Sequence, residues 1–339
     1  MTSLHPPSLS ISIAAALRDS ESKNDRARAG AAHALGSVED PEHAGEVMDA
    51  LFRLLGDVRS PIRATAALSL AEVVLAMDHE DSDAATIDAL AAGLDDSAAD
   101  ARQACAVALG RLGDPAGFAP LAEKLAEGPP DLRFQAATSL VEIDAARAYD
   151  ALTAQLADET DGEVLGALCL GLGEIGDRRA VPHMVPVLEN ERTETRFDAA
   201  YALSQLGDQR ALGVLAGFLH HPSLAWDAIC ALEDAGAASA AAPLAEILAR
   251  RFAPRVLKLR AAAAILAIAP DSDHAATARE VLIAGTSAWR HQHRALAVQL
   301  LGQLDGDWAR EALLSLRGRR TGRTLSAEID TALAHHEPQ

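Results

Sequence analysis

The side chains that could support chemistry in this chain are twelve histidines, three cysteines and 49 acidic residues. Helical zinc sites favour ligands at i and i+4, but the close histidine groups are adjacent or two residues apart. These groups are His220-His221, His291-x-His293 and His335-His336. The acidic run Asp78–Asp83 lacks the glycine turn and glutamate spacing of a calcium loop. The sequence therefore predicts no metal site and no cofactor.

Nucleophile and phosphate-binding motifs are also absent from the sequence. It has no Gly-x-Ser-x-Gly, no phosphate loop and no Gly-x-Gly-x-x-Gly after a strand. Cys105, Cys169 and Cys230 are far apart and odd in number, which is typical of free thiols in a reducing compartment. The acids Asp198 and Asp227 could share a proton, but recurring surface acids explain them more simply. We expect no catalytic residues and a cytoplasmic protein that is not an enzyme.

Net charge restricts the classes of partner. Acidic residues outnumber basic ones 49 to 30, which gives a formal charge of −19. A field of this sign repels phosphate backbones and anionic membranes, so we expect neither as a partner. Residues 9–17 predict a first amphipathic helix rather than a signal peptide, and no apolar run could span a bilayer. The basic segment Arg317–Arg323 is interpreted as a charged loop beside a capping unit.

An internal repeat supplies the elements that position these residues. ARQACAVALGRLGD at 101–114 returns as VLGALCLGLGEIGD at 164–177 and TRFDAAYALSQLGD at 195–208, and nine copies can be aligned. Counted from Arg196 as position zero, apolar or small residues at +3, +4, +7 and +10 form one helix face. Gly207 then stops the helix, and Asp208 caps the next one. The unit is a helical hairpin.

Hairpins that recur every 30 to 40 residues predict an all-α, right-handed α-solenoid of about nine repeats, because no repeat buries its apolar face alone. We assign residues 1–306 to the array and 307–339 to a helical cap and tail. Position zero holds arginine in seven copies: Arg28, Arg63, Arg102, Arg133, Arg196, Arg260 and Arg294. Position +7 reads Leu35, Leu70, Leu109, Leu140, Leu172, Leu203, Leu232, Ala267 and Leu301. The arginines are interpreted as structural, with stems at the core edge and guanidinium groups on turn acids and carbonyls.

The chain resembles the HEAT-repeat family, and in particular the bacterial phycobilin-lyase-type HEAT-like repeats. Asp57-Val-Arg-Ser-Pro-Ile-Arg63 and the recurrent Ala-x-Ala-Leu-Gly-x-x-Gly-Asp carry this resemblance. It implies that a turn acid pairs with the arginine six residues on. Asp57 with Arg63 and Asp96 with Arg102 match that spacing, and Glu127 with Arg133 and Asn190 with Arg196 are weaker versions. These motifs are structural, so the resemblance implies a fold rather than an activity.

The opposite face of each second helix carries positions +2, +5 and +9. Position +5 is often large and apolar, and position +9 is often acidic, which favours a concave groove with an apolar seam and acidic walls. The candidate partner-binding residues are Leu68, Val107, Glu142, Leu170, Glu174, Asp198, Tyr201, Trp226, Asp227 and Asp234. Ile265 is expected to continue the seam in partly accessible form. Strong curvature could instead close the seam and make these ordinary packing residues.

Three functions follow from these features. The first is a non-catalytic scaffold that binds a basic, partly apolar protein or peptide, as a monomer or as one subunit of a hetero-complex. The second, from the resemblance alone, is a phycobilin-lyase-like enzyme or tetrapyrrole-binding protein. The third is a HEAT-type DNA glycosylase, which the acidic stripe disfavours. Phe134, Phe197 and Trp226 share position +1 and are expected to pack against the neighbouring repeat.

Overall fold

Helices form the regular structure of the described chain. A computed structural model describes residues 12–76, 84–318 and 322–336. Within these ranges the chain forms twenty α-helices, joined by turns and short 3-10 segments, and no strand. Alanine and leucine, which have high helix propensity, dominate the segments between glycine- and proline-containing turns. The all-α prediction is confirmed, whereas the Asp78–Asp83 run lies outside the described residues.

Two compact units divide the chain, and the first comprises residues 1–186. Its helices alternate as the first and second members of hairpins. They are α1 (Ile13–Ser20), α2 (Asp25–Leu35), α3 (Ala44–Leu55), α4 (Ser60–Ala76), α5 (Ala84–Gly93), α6 (Ala99–Leu112), α7 (Phe118–Glu127), α8 (Pro130–Ile143), α9 (Ala145–Asp158), α10 (Gly162–Ile175) and α11 (Val181–Met184). Within this unit the second helices lie side by side, with α4 between α2 and α6, and α8 between α6 and α10.

The second unit comprises residues 187–339. Its helices are α12 (Thr193–Gln205), α13 (Gln209–Phe218), α14 (Ala225–Asp234), α15 (Ala241–Ala249), α16 (Arg255–Ile268), α17 (Ala275–Gly285), α18 (His291–Gln303), α19 (Asp307–Arg317) and α20 (Ser326–Ala334). Here α16 packs between α14 and α18, and α20 packs on α18. The pair α19 and α20 occupies the segment assigned to the cap, while the basic segment Arg317–Arg323 is only partly described.

The turns that end second helices use a glycine followed by an aspartate. Gly207 has φ 75° and Gly176 has φ 77°, a left-handed conformation that disfavours residues with a β-carbon. The Asp208 carboxylate then accepts the backbone N–H of Arg210 at 2.9 Å, which satisfies a donor at the start of α13. The predicted stop at Gly207 and cap at Asp208 are confirmed.

The core follows the leucines at position +7. Leu35, Leu70, Leu109, Leu140, Leu172, Leu203, Leu232 and Leu301 are all 0% exposed. Each such burial contributes about 1.5–3 kcal/mol. Ala267, the one non-leucine in the series, is exposed. The register assigned to this repeat from Arg260 is therefore wrong by two residues. Position zero is Lys258, which is the fourth residue of α16, as the other arginines are in their helices, and which donates to the turn carbonyl of Leu248 at 2.9 Å. Position +7 is then Ile265, which is 0% exposed like the leucines.

The position-zero arginines connect successive repeats of the first unit, which corrects the pairing expected within one repeat. Arg63 donates to the backbone carbonyl of Asp57, six residues earlier, at 2.8 Å. Its carboxylate partner is Asp96 of the next repeat, at 2.6 Å. The same exchange gives an arginine ladder made of Arg28–Asp57, Arg63–Asp96, Arg102–Asp131 and Arg133–Glu159. The spacing of six identified Asp57 and Asp96, but each carboxylate pairs with the arginine of the preceding repeat. The expected pair of Glu127 with Arg133 is wrong, because Asp131 is the acid of that turn and Glu159 pairs with Arg133.

Candidate partner-binding face

The apolar part of the candidate face in the first unit is half-buried. Leu68 on α4, Val107 on α6 and Leu170 on α10 occupy equivalent positions, and each keeps part of its side chain accessible to solvent. Neighbouring second helices cover the flanks of these side chains because the helices pack side by side. An apolar row of this kind can bury further area against a partner.

A charged row accompanies these apolar residues. Glu72, Arg111, Glu142 and Glu174 hold equivalent positions on α4, α6, α8 and α10. Arg111 Nη1 lies 3.7 Å from Glu72 Oε1. Partial burial raises the pKa of Glu142, the negative charge of Glu174 raises it further, and Arg111 opposes both effects. This carboxylate row thus has more negative charge than its one arginine neutralises.

Close helix packing places Glu142 in this row. Gly110 on α6 faces α8, and a β-carbon added there would lie 2.6 Å from Glu142 Oε2 and 2.8 Å from Ser139 Cβ. Only glycine permits α6 and α8 to approach this closely. Gly110 thus determines how close Arg111 on α6 and Glu142 on α8 lie within the charged row.

In the second unit, the candidate residues lie on α12 and α14. Asp198 and Tyr201 are half-buried on α12, whereas Asp227 and Asp234 are exposed on α14. Burial raises the pKa of Asp198, and Glu194 adds to the rise, while Arg192 lowers it. Ionisation of Asp198 is therefore less favourable than that of an ordinary aspartate, and a cationic partner would stabilise the ionised form.

Trp226 at the start of α14 is 36% exposed. The guanidinium of Arg260 lies 6.0 Å from the centre of its ring, and the same guanidinium forms an ion pair with Glu233 at 2.5 Å. One part of the indole therefore contacts the protein, and the remainder is available for contact. The expectation that position +1 packs against the neighbouring repeat holds for Phe197, whose ring meets Phe218 edge-to-face with centroids 5.3 Å apart. It is wrong for Phe134, which is 41% exposed.

Ile265 was expected to continue the seam, and this is wrong. It is 0% exposed, and Leu266 beside it is 6% exposed. Counted from Lys258, Ile265 stands at the core position +7, and position +5 is the small residue Ala263. In the second unit, the accessible +5 positions of the other second helices are therefore Tyr201, Cys230 and Gln299.

Two features at the turns between first and second helices were not predicted from the sequence. Large apolar side chains are exposed there, with Val58 at 85%, Phe252 at 89% and Trp289 at 94%. In the second unit a cleft of about 430 Å³ opens at the same kind of turn, lined by Arg196, His220 and His221 among others. The signal for this cleft was the turn Leu219-His-His-Pro222, where no acid stands to pair with Arg196.

The described residues contain no group of three or more histidine, cysteine or acidic side chains placed to hold a metal ion. Burial raises the pKa of the Cys105 thiol to about 12, so this side chain is protonated at neutral pH. All three cysteines are free thiols. Among the described helices, none has the length and apolar character needed to cross a membrane.

Comparisons with known proteins find similar repeats in the middle of the chain. A family model described as HEAT repeats matches residues 87–168 and 150–233. Deoxyhypusine hydroxylase of Neurospora crassa is 35% identical over 102 residues, which are 27% of this chain and 31% of that protein. The chain therefore spans about a third of the length of this curated relative.

The solved structures that this chain resembles are more distant in sequence. Yeast importin-beta is similar over 94% of this chain and 51% of its own, with a TM-score of 0.59 and 13% identity. The structure of the phycocyanin lyase complex from Nostoc sp. PCC7120 matches 69% of this chain and 92% of its own, at 24% identity and a TM-score of 0.45. The importin likeness concerns the fold alone.

Proposed function

Because the chain contains HEAT repeats and folds as an all-α solenoid, we propose that it is a non-catalytic scaffold for a basic, partly apolar protein segment. The segment binds on the exposed face of the second helices. The observation that carries this proposal is the paired arrangement in the first unit, where half-exposed Leu68, Val107 and Leu170 run beside Glu142 and Glu174. Exposed apolar rows beside uncompensated charge are typical of recognition surfaces.

The two rows make different contributions to binding. Apolar side chains supply most of the affinity when a partner removes their remaining exposed area from water. The carboxylates mainly accelerate and orient the encounter with a cationic partner. The raised pKa of Glu142 supports this division, because a partner's lysine or arginine would relieve the repulsion from Glu174.

Residues of the second unit form a second part of the proposed surface. Tyr201 and Trp226 provide aromatic area, and Asp198, Asp227 and Asp234 provide charge. Aromatic anchors surrounded by polar groups are frequent at energetic centres of interfaces. We propose that each unit contributes separately to partner binding.

Charge reversal tests this proposal. The protein and two double variants, Glu142→Lys/Glu174→Lys and Asp198→Lys/Asp227→Lys, would be used to capture partners from host lysate, with captured proteins quantified by mass spectrometry. Asp49→Lys/Asp88→Lys is the matched control, because it makes the same charge change at exposed positions of the first helices α3 and α5. Far-UV circular dichroism checks that every variant is folded.

We expect basic proteins to be captured by the wild type and the control, and to be lost from either face variant. Capture should weaken as salt is raised, because steering by exposed charge is screened. Equal capture by all four proteins would contradict binding on this face.

A further inference from the structure

Arg196, which lines the cleft, is a position-zero arginine without the carboxylate partner that the ladder arginines have among the described residues. In Arg63 and Arg133, Nε and Nη2 both donate hydrogen bonds to the same carboxylate. The two bonds are 2.6 Å each in Arg63 and 2.8 Å each in Arg133. Arg196 keeps the carbonyl contact, since its Nη1 donates to Asn190 O at 2.7 Å. Among the described residues, its Nη2 makes one weak bond to Thr193 Oγ1 at 3.5 Å, and no carboxylate pairs with it.

A histidine stands where the pattern has an acid. Asp57 has two roles, because it pairs with an arginine of the preceding repeat and accepts the backbone N–H of Arg59 at 2.9 Å in its own turn. In the turn after α13, His221 Nδ1 accepts the N–H of Leu224 at 3.3 Å. His221 thus fills the turn-forming role of the acid, but brings no carboxylate to Arg196.

The histidine tautomers follow from these contacts. A backbone N–H can only donate, so His221 Nδ1 must accept and its Nε2 carries the proton in the neutral ring. His220 is held in the same way, because Arg250 Nη1 approaches its Nδ1 at 2.9 Å. Glu246 is the nearby acid, with Oε2 at 3.7 Å from His220 Nε2. Both rings that line the cleft therefore present N–H donors rather than acceptors at Nε2.

The walls of the cleft are mixed in character. Val214, Phe218 and Pro222 supply apolar surface opposite the polar groups of Thr193 and Arg196. Its volume of about 430 Å³ lies in the range of small-molecule sites, so it has room for a carboxylate together with an apolar group. A ligand with a carboxylate attached to an apolar body matches both walls.

We propose that this cleft binds a carboxylate with an adjoining apolar group, and that the carboxylate completes the bidentate contact that Arg196 lacks within the chain. This site is separate from the partner-binding face, because it lies at the turn between α13 and α14 rather than on the exposed face of the second helices. The carboxylate can come from a free acid, a chain terminus or an acidic side chain.

Ligand-observed NMR and calorimetry on the full chain test the proposal. The probes are benzoate, N-acetylleucine and the capped peptide acetyl-Leu-Asp-Leu-amide, with benzamide as the uncharged control, all at one ionic strength. Arg196→Lys keeps the charge but removes the planar fork, and Arg210→Lys is a matched control at an exposed arginine of the same unit. His221→Asp supplies an internal carboxylate that should occupy Arg196.

We expect benzoate to bind the wild type and Arg210→Lys, about tenfold more weakly to Arg196→Lys, and not measurably to His221→Asp. Benzamide should not bind. Preference for benzoate and N-acetylleucine would assign the cleft to a free acid or a chain terminus, and preference for the capped peptide would assign it to an acidic side chain. Absence of binding by all three acids, or equal affinity in Arg196→Lys, would overturn the proposal.

Discussion

Removing the Glu159 carboxylate should destabilise the first unit in a way that depends on pH. Its side chain is only 2% exposed and receives two hydrogen bonds of 2.8 Å from Arg133. The backbone N–H groups of Thr160 and Asp161, each at 2.9 Å, and Gln155 Nε2 also donate to it. Burial alone would raise the pKa of this carboxyl, but the donors outweigh burial and lower it from 4.5 to about 2.

The size of the effect follows from linkage. A carboxyl whose pKa falls from 4.5 to about 2 on folding stabilises the folded state by up to about 3 kcal/mol when ionised. Solvent screening at the partly exposed guanidinium reduces this, so we expect Glu159→Gln to cost about 2 kcal/mol at pH 7. Because the folded pKa is the lower one, this contribution is complete above about pH 5 and is lost as the pH falls toward 2.

Urea unfolding of the wild type and Glu159→Gln at pH 7 and pH 3, followed by far-UV circular dichroism, measures this difference. Asp158→Asn is the matched control, because it removes an exposed acid one position away on α9. The difference between the wild type and Glu159→Gln should shrink markedly at pH 3, while the control stays within about 0.5 kcal/mol of the wild type at both values. A loss of equal size at pH 7 and pH 3 would refute the electrostatic explanation.

Three further predictions concern packing and ionisation. Gly110→Ala should lower stability by about 1–3 kcal/mol because its β-carbon would lie 2.8 Å from Ser139 Cβ and 2.9 Å from Ser139 Cα on α8. Gly30→Ala, with nothing within 4 Å, should raise stability by about 0.5–1 kcal/mol. Calorimetry distinguishes the two variants, and equal shifts would contradict the close packing. Cys105 should resist alkylation at pH 8 until urea unfolds the chain, and rapid labelling of the native protein would contradict its buried, protonated state. Folding raises the pKa of Glu142, so its ionised form opposes folding at pH 7. Glu142→Gln should therefore stabilise the protein slightly, by less than about 1 kcal/mol in urea unfolding. Destabilisation by this variant would contradict repulsion from Glu174.

Periodicity predicted the helices well because it depends on local properties. The apolar spacing and the Gly207-Asp208 turn specify where a helix is buried and where it ends, and neither requires knowledge of a neighbouring repeat. The proposed division at residue 306 stays a prediction. Partner binding at the predicted face likewise stays a prediction.

Relations between repeats were harder to infer. Asp57 and Arg63 are six residues apart in sequence, but the packing of whole hairpins decides that the carboxylate faces Arg28 of the preceding repeat. The burial of Ile265 follows from a repeat register that starts at Lys258, which the sequence concealed because Arg260, two residues later, is also an arginine. The sequence indicates the cleft at Arg196 only through the lack of an acid in the next turn. That lack becomes meaningful once each arginine is known to pair with an acid of the following repeat.

The direction of the arginine ladder determines where the chain could be cut without leaving a charge unpaired. Each acid from Asp57 to Glu159 pairs with an arginine encoded one repeat earlier. Removal of one whole repeat would bring an arginine and an acid of the same kind together again, whereas a cut between two repeats of this block would separate an acid from its arginine. Leu165 occupies position zero after Glu159, and the ladder therefore ends there. A cut after α10 would separate none of the four pairs.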